Sequence, residues 1–103
     1  LIILSGCGNT SSSKAVEAAK ERIIAEGEGA ASDYKFSDVE AKLIQKEDRD
    51  LQQEGQIRVS GKLNYSVDGK RHYHFFGTTV HFYDGKYQAG NVTYETDYDS
   101  YER

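Results

Sequence analysis

A chain of 103 residues has room for one domain and one modest core. Its formal charge of −4 argues against general nucleic-acid binding, and a single Cys excludes an internal disulfide. Seven of the eight Tyr and three of the four Phe follow residue 60, so the second half is expected to carry the strands and most of the core.

The chain opens Leu1-Ile2-Ile3-Leu4-Ser5-Gly6-Cys7, followed by Gly8-Asn9-Thr10-Ser11-Ser12-Ser13. An apolar stretch that ends in small residues reads as the tail of a secretory signal peptide. A signal peptidase needs small side chains beside the bond it cuts, and Ser5 and Gly6 supply them. The polar run after Cys7 has a tether composition, which argues against a buried Cys behind a short strand. There is no Met, and a span needs about 20 apolar residues, so the rest of the signal is expected upstream of Leu1.

Leu4-Ser5-Gly6-Cys7 resembles the lipobox of bacterial lipoproteins. The resemblance implies that residues 1–6 are cleaved, that Cys7 carries lipid and that residues 7–13 form a flexible tether. It implies a globular domain over residues 14–103 on the outer face of the cell membrane. Gly8 is not the Asp of an inner-membrane retention signal, which favours a Gram-positive cell. One acyl chain binds a membrane only marginally at about 0.8 kcal/mol per buried CH₂, so a di- or triacylated Cys is expected.

Ser11, Ser12 or Ser13 is expected to cap a helix. Val16, Ala19 and Ile23 form its apolar stripe, flanked by Ala15 and Ile24. Lys14, Glu17, Lys20, Glu21 and Glu26 cover the other side, and Gly27 and Gly29 stop it. A first strand runs from about Tyr34 to Lys46, with a phase slip between Phe36 and Val39 that implies a bulge. Glu47–Glu54 is a charged connection. From Ile57 to Val67 apolar and polar residues alternate, as in a strand with one wet face.

Asp68-Gly69 and Asp84-Gly85 supply the positive φ angles of type I′ hairpin turns. They bracket a strand from Lys70 to Tyr83, and a last strand runs from Lys86 to about Tyr98. A two-residue loop at Asp68-Gly69 pairs Val67 with Lys70, Tyr65 with His72, Leu63 with His74 and Gly61 with Phe76. The second turn pairs Phe82 with Tyr87 and Val80 with Ala89. Strict alternation then puts Val92 and Tyr94 on the wet face, and a bulge at Gly90-Asn91 returns them to the core.

The expected fold is α+β, one N-terminal helix packed on a curved four-stranded antiparallel meander. In element order behind a lipobox, the chain resembles the cystatin-like fold of small Gram-positive lipoproteins. Some of that group belong to integrative and conjugative elements and exclude an incoming element. NTF2-like domains share the plan but carry more helices.

Inhibitory cystatins use Gln-x-Val-x-Gly, whereas Gln56-Ile57-Arg58-Val59-Ser60-Gly61 is one residue too long, and the chain has neither Pro nor Trp for a second loop. His72 and His74 form a His-x-His pair, with His81 on the opposite face. Zinc needs a third converging ligand, and Glu95 stands opposite His74 only without the Gly90 bulge, so no metal and no cofactor are assigned. The plainer reading has both histidines closing the core near the Asp68 turn. The run Glu47, Asp48, Asp50 and Glu54 lacks calcium-loop spacing. The serines cluster in the tether, where nothing orients a nucleophile, so no catalytic residue is assigned.

From Tyr94 to Tyr101 the chain alternates Tyr with acid, a pattern suited to a recognition edge or to a fraying last strand. The expected function is therefore interaction without catalysis, through Tyr65, His72, His74, Tyr94, Tyr98 and Tyr101. The implied partners are membrane lipid through Cys7 and a membrane or surface protein. The family resemblance points to the conjugation machinery of a donor cell. The alternative is a small-ligand or metal-binding lipoprotein that uses a pocket between helix and sheet. An apolar cavity lined by Tyr65, His72 and His74 favours that alternative, and a filled core with an exposed Tyr patch favours the interaction module. An NTF2-like enzyme would need a deep polar pocket with a convergent acid–base pair.

Overall fold

Both Asp-Gly turns form as expected. Asp68 and Gly69 have φ of 53° and 81°, and Asp84 and Gly85 have φ of 53° and 78°. Both central residues are left-handed, which matches the turn twist to that of the flanking strands. The computed structural model describes the backbone of residues 2–96 and the side chains of residues 11–95. Its elements are α1 (Ile2–Glu26), β1 (Ser32–Gln45), β2 (Gly55–Val67), β3 (Lys70–Tyr83), β4 (Lys86–Ala89) and β5 (Thr93–Thr96). All strand pairs are antiparallel, in the order β1-β2-β3, with β4 and β5 both on the far edge of β3. The fold is α+β.

The first hairpin has the expected register, with Tyr65 opposite His72, Leu63 opposite His74 and Gly61 opposite Phe76. In the second, Phe82 faces Tyr87 and Val80 faces Ala89. The last strand differs from expectation. It breaks after Ala89 and resumes at Thr93, so two short strands share the fourth position of the sheet. Ala89 faces Val80 while Thr93 faces Gly77, so Gly90, Asn91 and Val92 stand against only Thr78 and Thr79. One residue is in excess, and that is the bulge expected at Gly90-Asn91. The buried Thr78 hydroxyl donates to the Gly90 carbonyl at 3.2 Å, and the Gly90 N–H donates to the Thr79 carbonyl at 2.9 Å. Tyr94 therefore faces Phe76 on the core side.

β1 is bent by the same device. Ser37 pairs with Lys62 and Glu40 with Ser60, which leaves Asp38 and Val39 opposite Gly61. Asp38 takes φ 51°, and Val39 returns to the helix side and packs on the core. Nearer the start of β1, Asp33 and Tyr34 stand together opposite Tyr65, with Asp33 at φ 54°.

α1 runs unbroken through Ser11–Ser13, so these serines are interior positions rather than caps. No Pro interrupts the segment, and each N–H there meets a carbonyl one turn back. Its fully buried residues are Ala15, Ala19 and Ile23, at i, i+4 and i+8, while Val16 is half-buried and Ile24 is 43% exposed. The stripe is therefore centred on Ala15 rather than on Val16. Two alanines let the helix axis approach the sheet closely, where Ile57, Val59, Leu63, Phe76 and Val80 are buried. Burial of each large side chain contributes about 1.5–3 kcal/mol. Lys14 and Lys20, on the flanks of the helix, lie over the rings of Tyr87 and Phe36 at 5.8 and 5.2 Å.

Candidate functional site, an aromatic groove at the helix end

Cross-strand pairing stacks rings on the helix side of the sheet near the Asp68 turn. The Tyr65 ring lies 5.6 Å from His72 and 5.6 Å from His74, with planes 22° and 25° apart. One is its direct partner across the hairpin and the other its diagonal neighbour. The β1 bulge brings the Tyr34 ring to 5.6 Å from Tyr65. The Gly90 bulge brings Tyr94 edge-on to His74 at 6.1 Å.

The helix end supplies the opposite wall. The Gly27 N–H donates to the carbonyls of Ile23 and Ile24, and Gly29 turns the chain away at φ 89°. A side chain at residue 27 would collide with the Tyr34 hydroxyl, so Gly27 is what lets Tyr34 lie against the helix terminus. Between the walls is a groove of about 420 Å³, lined chiefly by Tyr34, Tyr65, His74 and Tyr94 from the sheet and by Ile23 and Glu26 from the helix.

Glu26 is the acidic group of this groove. Its Oε2 accepts from Arg22 Nε at 2.9 Å and its Oε1 from the Tyr94 hydroxyl at 2.8 Å. The Arg22 hydrogen bond, against a smaller opposing effect of burial, holds the Glu26 carboxyl below its usual range, and Tyr94 adds to this. Burial first, then the bond to Glu26, pushes the Tyr94 phenol up. Burial also raises Tyr34 and Tyr65. All three phenols therefore stay protonated near neutral pH. Arg22 extends away from the groove to the Ala89 carbonyl and to Asn91 Oδ1, at 3.3 and 3.4 Å, and so ties the helix to the bulge. His74 Nδ1 is buried and has no hydrogen-bond partner among the described residues.

Of the residues expected to form a binding surface, Tyr65, His72, His74 and Tyr94 come together. His72 is exposed and stacks on Tyr65 from outside the groove. Tyr98 and Tyr101 lie outside the described residues, as does the Cys7 side chain. Tyr34 is the groove residue that sequence reasoning treated only as part of a strand. Its paired neighbour Asp33, a residue tolerant of positive φ, was the available signal of a bulge there.

His81 lies on the open face, as expected, and contacts Glu54 Oε1 through Nδ1 at 3.0 Å. Glu95 faces Phe75, also on the open side, and not His74. Among the described residues no three His, Cys, Asp or Glu side chains gather as a metal site. Ile57 and Val59 are buried in β2, so Gln56–Gly61 is a core strand and not an inhibitory loop tip. The open face has its own depression of about 490 Å³, flanked by Arg58, Glu40 and Glu95 around the 40% exposed Phe75. There Lys62 pairs with Asp38 at 3.2 Å. Among the described residues no helix is long and apolar enough to cross a membrane. No family model, curated protein or solved structure matches the chain.

Proposed function

We propose that the protein is a non-catalytic binding module, held at the outer face of a cell membrane by lipid on Cys7, that recognises its target with the aromatic groove. The observation that carries this reading is the convergence of Tyr34, Tyr65, His74 and Tyr94 on one groove from four strands. Tyr offers large contact area with little rotamer entropy to lose. Both oxygens of Glu26 are already engaged, which suits a fixed recognition element better than a proton-transferring one. The anchor is supported by Leu4-Ser5-Gly6-Cys7.

Two occupants fit this role. The resemblance to exclusion lipoproteins supports a membrane protein of a donor's conjugation apparatus, bound so that an incoming element is blocked. The groove supports a small ligand, since about 420 Å³ falls within the roughly 300–1,000 Å³ of small-molecule sites.

The test is a mating assay on recipients that carry the full precursor, its Cys7→Ala form, its Tyr65→Ala form or an empty control. Reduced transfer of one element, restored by both substitutions, is expected for a surface-anchored excluder that works through the groove. Normal transfer with the protein lipidated and present rejects exclusion for that element and leaves the ligand-binding role.

A further inference from the structure

We infer that the groove takes a quaternary or tertiary alkylammonium ligand, an inference that rests on the groove being the binding site. Three features of the lining act in the same direction. The sheet wall is lined by Tyr34, Tyr65 and Tyr94, with the Tyr65 ring stacked on His72 and His74, and aromatic rings attract cations through the ring quadrupole. These phenols are neutral at neutral pH, with burial moving them further from ionisation, and a neutral ring retains its apolar surface for alkyl groups. The helix wall presents the Glu26 carboxylate, held ionised by Arg22. That wall is also the C-terminal end of α1, the negative pole of the helix, and its last turn holds no basic residue.

The same lining selects among cations. A primary ammonium carries three N–H donors that need acceptors. Here each carboxylate oxygen of Glu26 already accepts one bond, from Arg22 and from Tyr94, which leaves about two of its four lone pairs for three donors. An alkylated ammonium has one N–H or none. It is bulky and weakly hydrated, and it gains from ring faces and from a carboxylate's field without a directed bond. A groove of about 420 Å³ accommodates such a head group together with a short substituent. Inorganic cations fit poorly, since Glu26 is the one carboxylate in a lining that is otherwise aromatic, aliphatic or glycine.

The test uses the full 103-residue chain and NMR of the tyrosine rings. Choline and tetramethylammonium are titrated against 3,3-dimethylbutan-1-ol, the uncharged shape-mate of choline, and against Nα-acetyl-lysine methylamide. Saturable shifts of Tyr34, Tyr65 and Tyr94 with choline are expected, with the neutral alcohol weaker by about tenfold or more, as cation–π attraction in a partly desolvated site implies. Glu26→Gln keeps the side-chain shape and is expected to weaken choline by about tenfold, while the exposed Leu51→Ala leaves binding unchanged. Equal binding of alcohol and choline overturns the cation assignment, because the groove then reads only apolar shape. Acetyl-lysine binding as tightly as choline overturns it in favour of a lysine-bearing protein partner. Absence of ring shifts with every probe overturns it outright. If Tyr65→Ala still abolishes exclusion in cells while choline fails to bind, the ligand class falls and the groove reading survives.

Discussion

Tyr94 and Glu26, 68 residues apart in sequence, are joined by a 2.8 Å hydrogen bond in which the phenol donates to the carboxylate. The bond closes one side of the groove and fixes the last described strand to the last residue of the helix. Each partner depends on a separate local event, the one-residue bulge after Ala89 and the termination of α1 at Gly27.

Glu26 gives a pH prediction with a definite sign. Its carboxyl lies below its usual 4.5 because Arg22 and Tyr94 stabilise the charged form. A depressed folded-state pKa contributes stability above the unfolded value, and that contribution is lost as pH falls through the folded value. Tyr94→Phe removes one donor and is expected to move the Glu26 midpoint upward, toward 4.5. Side-chain carboxyl NMR titration of both proteins checks this. An unchanged midpoint would mean that the Tyr94 bond is not formed in solution.

Gly27→Ala is expected to destabilise by about 1–3 kcal/mol, because the new methyl collides with the Tyr34 hydroxyl. Urea unfolding measures the loss. The double variant Gly27→Ala, Tyr34→Phe removes the hydroxyl that collides and is expected to recover part of it.

Deletion of Asn91 removes the extra residue of the bulge. A one-residue slip sends every side chain beyond it to the other face. Tyr94 then joins the open side of the sheet, and its bond to Glu26 and its contact with His74 are lost. Disappearance of the nuclear Overhauser contacts between the Tyr94 and His74 rings is the expected result, and their persistence would mean that β5 does not follow the register with β3.

Leu63 is fully buried under the helix, whereas Leu51 is 72% exposed in the β1–β2 connection. Leu63→Ala is expected to cost about 2–5 kcal/mol and Leu51→Ala well under 1 kcal/mol. Thermal and urea unfolding of the two variants, each against the parent, measure this difference.

Much of the sheet was legible because its determinants are local. Asp-Gly at 68–69 and at 84–85 dictates turn geometry, and a two-residue turn sets every pair up the hairpin, from Val67–Lys70 to Gly61–Phe76. The same alternation exposed its own failure near Gly90, where Val92 and Tyr94 would otherwise face water. The helix and its end before Gly27 are legible in the sequence, but its start and its buried line are not. Val16 and Ala15 serve equally well in a periodic pattern, and only the packing of α1 on the sheet leaves Ala15 buried and Val16 half-buried. The start of the helix was misread for a related reason. Ser11–Ser13 can cap or continue a helix, and the turns upstream continue it.

Strand order, the hairpin registers and the grouping of Tyr65, His72 and His74 on one face follow from the residues alone, since period-two alternation and turn chemistry act over a few residues. That Tyr34 joins them, that Glu26 confronts them from the helix and that a groove lies between follow from three-dimensional packing. Those depend on how far α1 extends over the sheet and on two bulges in separate strands. Contacts between residues as distant as Glu26 and Tyr94 leave no periodic trace in the chain.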